Sequence, residues 1–303
     1  MQKNNGFPIT ATFIDEVTYD IPAQNWSDDQ WRADLDNMKE VGIDTLVIMR
    51  SVFYDKCLYP SKHFKGLLED GEDFLGMMLS AAEERDMKVY IGLYISNLTW
   101  NSGDFIGEIE QNKIFVDEIL SLYGSSTAFA GWYIPHETGS NIYCIKETMG
   151  GLAKLCKERS PEKQVFISPF FRGVGLFPDE LSPERTASAW DSILDGIGQY
   201  IDACAFQDGT TTLDTLGDYL AAIKPVMDKY GISLWSNAET FERDVRSMFF
   251  PIPFNTLRRK IKIAEPFVDK IITFEFSHFL SPQSIYPSAK NLNALYRAYY
   301  EEK

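Results

Sequence analysis

Eight short apolar runs recur along the chain, each followed by a polar or aromatic loop and, in most cases, an amphipathic helical pattern. The runs cover residues 9–14, 45–49, 89–94, 130–134, 165–167, 203–206, 233–235 and 271–276. Most are apolar on both faces and rich in β-branched and aromatic residues, as strands of a parallel sheet covered on both sides must be. Between them the apolar spacing changes from two to between three and four. Ser27 followed by Gln30 predicts a capping box, Trp31, Leu35 and Met38 share one face, and Gly42 is placed to stop that helix. Phe74, Met77, Met78 and Ala81 repeat the arrangement, as do Ile114, Ile119 and Leu122, and then Ile145, Met149, Leu152 and Leu155. Ser182-Pro183 reads as an N-cap followed by proline at the first helical position. Leu216, Leu220 and Ile223 mark the next helix, which Pro225 is expected to kink or end. Leu257, Ile261 and Ala264 follow, and Leu292, Leu295, Tyr296 and Tyr299 close the chain.

Alternation of this kind admits an open doubly wound sheet or a closed barrel. The open sheet usually begins with a glycine-rich phosphate turn, and neither G-x-G-x-x-G nor G-x-x-x-x-G-K-[ST] occurs here. No Gly/Ser or Pro-rich linker divides the 303 residues. The expectation is a single (β/α)8 barrel domain, an α/β TIM barrel over residues 1–303, with its chemistry at the C-terminal ends of the strands.

Charge and composition remove several classes of function. Lys and Arg number 29 against 44 Asp and Glu, a net of −15, which repels phosphate backbones and argues against nucleic acid. No apolar run approaches the roughly 18 residues that suggest a membrane span. Residues 1–6 have no apolar signal core, so the expected location is the cytoplasm, or the periplasm or exterior after removal of a signal. The four cysteines (Cys57, Cys144, Cys156, Cys204) contain no C-x-x-C pair and read as buried apolar thiols. Only three histidines occur (His63, His136, His278), with no H-x-H on the first strand, so no metal centre is expected. Lys88 and Lys270 begin their strands and none ends one, which argues against a Schiff-base aldolase. The loops after the seventh and eighth strands lack a glycine-rich phosphate grip, and no organic cofactor is expected.

The strand ends carry Asp15, Arg50, Tyr94 and Asn97, His136 and Glu137, Arg172, Gln207 and Asp208, Asn237 and Glu239, and Glu275 with His278. Glu137 closes Gly131-Trp132-Tyr133-Ile134-Pro135-His136-Glu137, where Pro135 has no N–H and should end the pairing. Glu239 closes Ser233-Leu234-Trp235-Ser236-Asn237-Ala238-Glu239. Strands four and seven lie nearly opposite across an eight-stranded barrel, so these two carboxylates face each other over the mouth. Cleaving a glycosidic bond requires such a pair: one acid protonates the departing oxygen, and the other attacks the anomeric carbon or activates water. A separation of about 5–5.5 Å implies retention of configuration, and roughly 6.5–9.5 Å inversion.

Each residue also has a plainer reading. A lone glutamate is commonly solvated or ion-paired, and Glu242 reads as a solvated loop acid. Glu275 could form an ion pair with Arg50 or Arg172 inside the barrel, or touch substrate. Asp15 and Asp208 could bond a sugar hydroxyl or cap a loop, and Arg172 could hold a loop. His136 could orient Glu137 or contact substrate, and with Glu137 it could instead serve a lyase or isomerase. Tyr94, Trp235, Asn237 and His278 complete the candidate substrate contacts. Tyr19, Phe53, Tyr54, Tyr59, Trp100, Phe170, Phe171, Phe241, Phe249, Phe250 and Phe254 all follow strands, and aromatic faces pack on the apolar faces of sugar rings.

An acidic residue after the fourth strand and another after the seventh resembles clan A of the glycoside hydrolases, the 4/7 barrel superfamily. Gly-Trp-Tyr-Ile-Pro-His-Glu, with Thr12-Phe13-Ile14-Asp15 and Phe279-Leu280-Ser281-Pro282, is similar to a bacterial family of glycosidase-like barrels of unassigned function. The likeness covers nearly the whole chain. It implies that Glu137 is the acid/base, Glu239 the nucleophile, and Arg50 a support for the nucleophile. Two departures stand out. His136 occupies the place where clan A usually has Asn, and Phe274 or Phe276 replaces the usual eighth-strand Trp platform. The expected function is a retaining glycoside hydrolase acting on an oligosaccharide or glycoside. The alternative is a carbohydrate-binding barrel without catalysis.

Overall fold

The structure, a computed structural model, describes residues 8–18, 21–54, 56–64, 72–96, 98–140, 145–174, 176–243 and 248–301. Eight parallel strands close into a barrel: β1 (Ile9–Ile14), β2 (Thr45–Ile48), β3 (Lys88–Gly92), β4 (Phe129–Ile134), β5 (Gln164–Ile167), β6 (Ala203–Gln207), β7 (Ser233–Asn237) and β8 (Lys270–Thr273). Each pairs with the next in sequence, and β1 pairs with both β2 and β8, which closes the ring.

Alternation along the strands sorts two cores. Phe13, Val47, Tyr90, Tyr133, Phe166, Ala205, Trp235 and Ile272 point into the barrel and fill it, with the Phe13 and Tyr133 rings 5.2 Å apart and Phe166 and Trp235 5.0 Å apart. Their neighbours Ile14, Ile48, Ile91, Ile134 and Ile167 point outward against the helices.

The helices are α1 (Asp28–Glu40), α2 (Phe74–Glu83), α3 (Phe105–Tyr123), α4 (Ile145–Arg159), α5 (Pro183–Leu194), α6 (Leu216–Tyr230), α7 (Phe254–Ala264) and α8 (Pro287–Glu301). The capping box at Ser27 and Gln30 forms, Gly42 at φ 82° follows the end of α1, and Ser182 caps α5 with Pro183 in its first turn. Pro225 does not end α6, which runs on to Gly231 at φ 69°. Ala221 and Pro225 both lie on the exposed face, so the carbonyl that loses its partner faces water. On α3 the buried face is Glu108, Asn112, Phe115, Val116 and Ile119, while Ile114 and Leu122, expected there, are exposed. Leu295 of α8 is exposed as well.

The eighth strand stops earlier than its apolar run. Residues after Phe274 turn into a short helix, Phe276–Phe279, because Glu275 caps it by accepting from the His278 N–H at 2.8 Å. Two small hairpins sit on the rim: Val52–Phe53 with Lys56–Cys57 after β2, and Phe241–Arg243 with Phe249–Pro251 after β7. Cys57, Cys156 and Cys204 are buried and free, and Cys144 lies outside the described residues. Among the described residues no helix is long and apolar enough to cross a membrane.

Two glycines give opposite expectations. A Cβ on Gly92 would stand 2.2 Å from the Met49 carbonyl oxygen and 2.5 Å from that of Ile48, so β2 and β3 would have to part. Gly92→Ala should cost about 3 kcal/mol in chemical denaturation. At Gly217, inside α6, the nearest atom is the Ile263 methyl at 3.5 Å, ordinary contact. Gly217→Ala should raise stability by about 0.5–1 kcal/mol. A Gly92→Ala protein as stable as the parent would contradict the close strand approach.

Candidate active site

A cavity of about 450 Å3 opens at the C-terminal ends of the strands. Asp15 and Thr18 come from the loop after β1, Arg50 from the end of β2, Glu137 from β4, Gln207 and Gly209 from β6, and Asn237 and Glu239 from β7. Phe274 after β8 and Phe241 and Phe249 of the second hairpin form its apolar side, with Glu242 and Arg243 on the exposed part of that hairpin.

Glu137 is placed by a short turn. Pro135 ends the strand, and the Glu137 N–H donates to the Pro135 carbonyl at 2.9 Å. Tyr133, facing into the barrel four residues earlier, donates its hydroxyl to Glu137 Oε1 at 3.3 Å. Burial raises the Glu137 carboxyl above its usual range, against the pull of the Arg50 charge and the bonds from Tyr133 and Gln207.

Glu239 is held more tightly, through its backbone. Its N–H donates to Asp208 Oδ1 at 3.1 Å, and its carbonyl accepts from Lys260 Nζ at 3.0 Å. Lys260 Nζ also donates to Asp208 Oδ1 at 2.7 Å, which closes the circuit. The next residue, Thr240, donates its N–H to the Phe274 carbonyl and its hydroxyl to the carbonyls of Phe274 and Glu275. The Glu239 carboxyl lies against Gly209, where a Cβ would be 1.8 Å from Oε2, so a side chain there would displace the carboxyl. Burial pushes the Glu239 carboxyl up to about 8. Lys260 opposes that rise, and the Asp208 and Glu137 charges add to it.

Asp15 and Arg50 form the wall beside Glu137. Asp15 Oδ1 accepts the N–H groups of Val17 and Thr18 at 3.1 and 3.0 Å. Arg50 Nη1 lies 3.6 Å from Asp15 Oδ2, donates to Thr18 Oγ1 at 2.5 Å, and its guanidinium sits 4.7 Å over the Phe53 ring. Asn237 is buried in the wall, and its Oδ1 has no hydrogen-bond partner.

Of the sequence-derived candidates, Asp15, Arg50, Glu137, Asn237 and Glu239 line this cavity, with Gln207 beside them. Asp208 stands directly behind Glu239. The others are turned elsewhere. His136 Nε2 bonds Glu108 Oε1 of α3 at 2.7 Å, and its ring packs edge-on to Trp100 at 4.7 Å. Tyr94 packs on Phe64 at 4.9 Å, and Trp235 lies in the barrel interior with its indole N–H on Ser233 Oγ at 2.9 Å. Glu275 pairs with His278, not with an arginine, and Arg172 pairs with Asp179. Asn97 and Tyr19 lie outside the described residues. Phe171 stacks on Phe206 and Phe170 on Phe177, so neither is a cavity wall. Among the described residues no group of three or more His, Cys, Asp or Glu could hold a metal.

Lys260 was not legible at a strand end because it comes from α7. The signal was a lysine on the apolar face of that helix, between Leu257 and Ile261. Helical side chains lean toward the helix N-terminus, which here is the end nearest the strand tips, so its stem reaches back to the cavity.

Comparison with solved structures places this architecture. A protein from Bacteroides thetaiotaomicron, whose crystal structure names it a "putative alpha-L-fucosidase", is 42% identical, with a TM-score of 0.90 over 100% of this chain and 96% of that one. An endo-1,4-beta-D-mannanase from Thermotoga petrophila shares the fold at 12% identity and a TM-score of 0.63, covering 96% of this chain and 100% of its own. An intracellular xylanase from Thermoanaerobacterium saccharolyticum does so at 13% identity and 0.55, covering 89% and 86%. The barrel is therefore of the kind seen in glycoside hydrolases. No match is found among curated proteins. The family model "Domain of unknown function (DUF4434)" matches residues 9–286, and the chain belongs to that family.

Proposed function

We propose that this protein is a glycoside hydrolase that works with retention, using Glu137 and Glu239 as its two acids. The observation that carries the reading is that both carboxyls line one buried-sided cavity and that the Glu137 charge acts on Glu239. Both carboxyls are raised by burial, and Glu239 also by the Glu137 charge, which favours one proton held between them, the state from which glycoside cleavage starts.

By the likeness to clan A, Glu137 gives its proton to the departing glycosidic oxygen while Glu239 attacks the anomeric carbon. The resulting glycosyl ester on Glu239 is then hydrolysed by a water that Glu137, now a carboxylate, deprotonates. Lys260 favours the ionised Glu239 that the first step needs. Arg50, placed by the likeness as a support for the nucleophile, also favours the ionised Glu137 that the second step needs. Asn237 Oδ1, buried and unpartnered in the wall, is an acceptor for a sugar hydroxyl. Phe241, Phe249 and Phe274 offer rings to the apolar faces of the sugar, with Phe274 near the place of the usual Trp.

The test is turnover of a panel of aryl glycosides and oligosaccharides. The name of the Bacteroides relative puts aryl alpha-L-fucosides first in that panel. Glu137→Gln and Glu239→Gln should each lose roughly 10^3-fold in kcat/KM with unchanged thermal melting. Turnover in both variants unchanged from that of the wild type would remove the assignment. Sugar binding by a wild type that turns over no member of the panel would favour the non-catalytic carbohydrate-binding barrel.

The dyad also sets a pH dependence. Catalysis needs its single proton, and Glu239 is pushed up to about 8, so kcat/KM should fall as pH rises through that region. Asp208 raises Glu239, so Asp208→Asn should move this alkaline limb to lower pH. An alkaline limb that stays in place in Asp208→Asn would contradict its assignment to loss of the dyad's shared proton.

A further inference from the structure

Lys260 is a charged side chain only 8% exposed, from a helix that otherwise serves to cover the barrel. Burying an ammonium is unfavourable unless its donors are satisfied, and replacing a buried ion pair by apolar groups often leaves a protein as stable or more so. Stability therefore does not account for a lysine at this position between Leu257 and Ile261. Its contacts do. One N–H goes to Asp208 Oδ1 at 2.7 Å and another to the Glu239 carbonyl at 3.0 Å, while Asp208 Oδ1 takes the Glu239 N–H at 3.1 Å. Both backbone polar groups of Glu239 are thus held by one buried ion pair, and Lys260 itself lines the cavity.

We infer that Lys260 and Asp208 are a paired positioning device for Glu239, fixing its backbone from both sides and setting the charge state in which its carboxyl can act. The inference rests on the reading of Glu239 as the nucleophile. The geometry explains the division of labour. Asp208 alone would hold the Glu239 N–H but add a negative charge behind a carboxyl that must ionise. Lys260 cancels that charge and holds the carbonyl as well. Among the described residues the charges that act most on Glu239 are Lys260 from α7, Asp208 from the loop after β6, Glu137 from β4 and Arg243 from the hairpin after β7, with Asp15, Arg50 and Glu242 lining the same cavity. The second Asp208 oxygen, Oδ2, is buried without a partner, as expected if the aspartate is kept for where Oδ1 sits and not for general solvation.

A substrate-free measurement separates this inference from the hydrolase reading. Carbodiimides modify protonated carboxyls, so the rate of Glu239 labelling, mapped by peptide mass spectrometry across pH, reports its titration. Lys260→Met keeps an apolar stem and removes the charge, and should move the labelling midpoint up by about one pH unit. Asp208→Asn should move it down, and the neutral pair Asp208→Asn/Lys260→Met, which leaves no buried charge unpaired, should lie between the two. If Lys260→Met alone fails to fold, the double variant carries the test, and its midpoint must then lie above that of Asp208→Asn. With an active substrate in hand, Lys260→Met should lower kcat about 100-fold while KM changes little, as misplacement of a reacting group does. A Glu239 midpoint unmoved by loss of Lys260 overturns the inference, even if Glu239→Gln abolishes turnover. A shifted midpoint in a protein that cleaves no glycoside supports the control of Glu239 by Lys260 and retires the hydrolase reading instead.

Discussion

Closure of the barrel between β1 and β8 is the constraint on which the site depends. Hydrogen bonding of β1 to strands from both ends of the chain forces eight strand tips into one ring. Groups from distant parts of the sequence then share a single mouth, and the aromatic rings packed inside the ring leave that mouth as the place where a ligand can enter. The separation in sequence between Glu137 and Glu239 matters less than the fact that strands four and seven stand across the ring from one another.

That mouth concentrates charge. In a chain of net charge −15, Asp15, Glu137, Asp208 and Glu239 converge on one region, where the Asp15 charge disfavours ionisation of Glu137, and those of Asp208 and Glu137 disfavour ionisation of Glu239. Arg50 and Lys260 are placed against this repulsion, one beside Asp15 and acting on Glu137, the other between Asp208 and Glu239. Each cation offsets the aspartate beside it, so each glutamate of the dyad stands next to a nearly neutral pair, Arg50 with Asp15 or Lys260 with Asp208. A carboxyl dyad can hold a proton at neutral pH only if its surroundings are neither strongly anionic nor strongly cationic. This pairing supplies such surroundings.

Much of this was legible in the sequence, for reasons that can be named. The eight strands, the capping box at Ser27, the cap at Ser182 and the stop at Gly42 rest on local rules, and local rules survive folding. Glu137 and Glu239 were legible because strand order fixes where strand ends go. What the sequence could not reveal was the direction of a side chain once its backbone had turned. His136 sits beside Glu137 in the chain yet faces Glu108 of α3, because it is the central residue of the tight turn that brings the Glu137 N–H onto the Pro135 carbonyl. Trp235, two residues before Asn237, faces inward below it. Glu275 found His278 three residues on instead of an arginine across the barrel, since the chain turned helical as soon as Glu275 could cap it. Pro225 does not end its helix, because the effect of a proline depends on whether the carbonyl it orphans is buried or wet.

Glu275 and His278, turned away from the cavity, still belong to its support. Both ring nitrogens of His278 face acceptors, the Glu275 carboxylate and the Pro22 carbonyl, the latter at 2.7 Å, so the ring carries two protons. Burial works against that charge, but Glu275 and Pro22 outweigh it and lift the imidazole to about 9. The result is a buried ion pair tying the loop after β1 to the end of β8. The carbonyls of Phe274 and Glu275 receive Thr240, the residue after Glu239. The Glu239 segment is therefore gripped on one side by Asp208 and Lys260 and on the other by a backbone that Glu275 and His278 hold in place. Apolar packing could stabilise either side as well or better. Directional bonds to fixed charges do what apolar packing does not: they specify where a backbone group sits and in which direction it points.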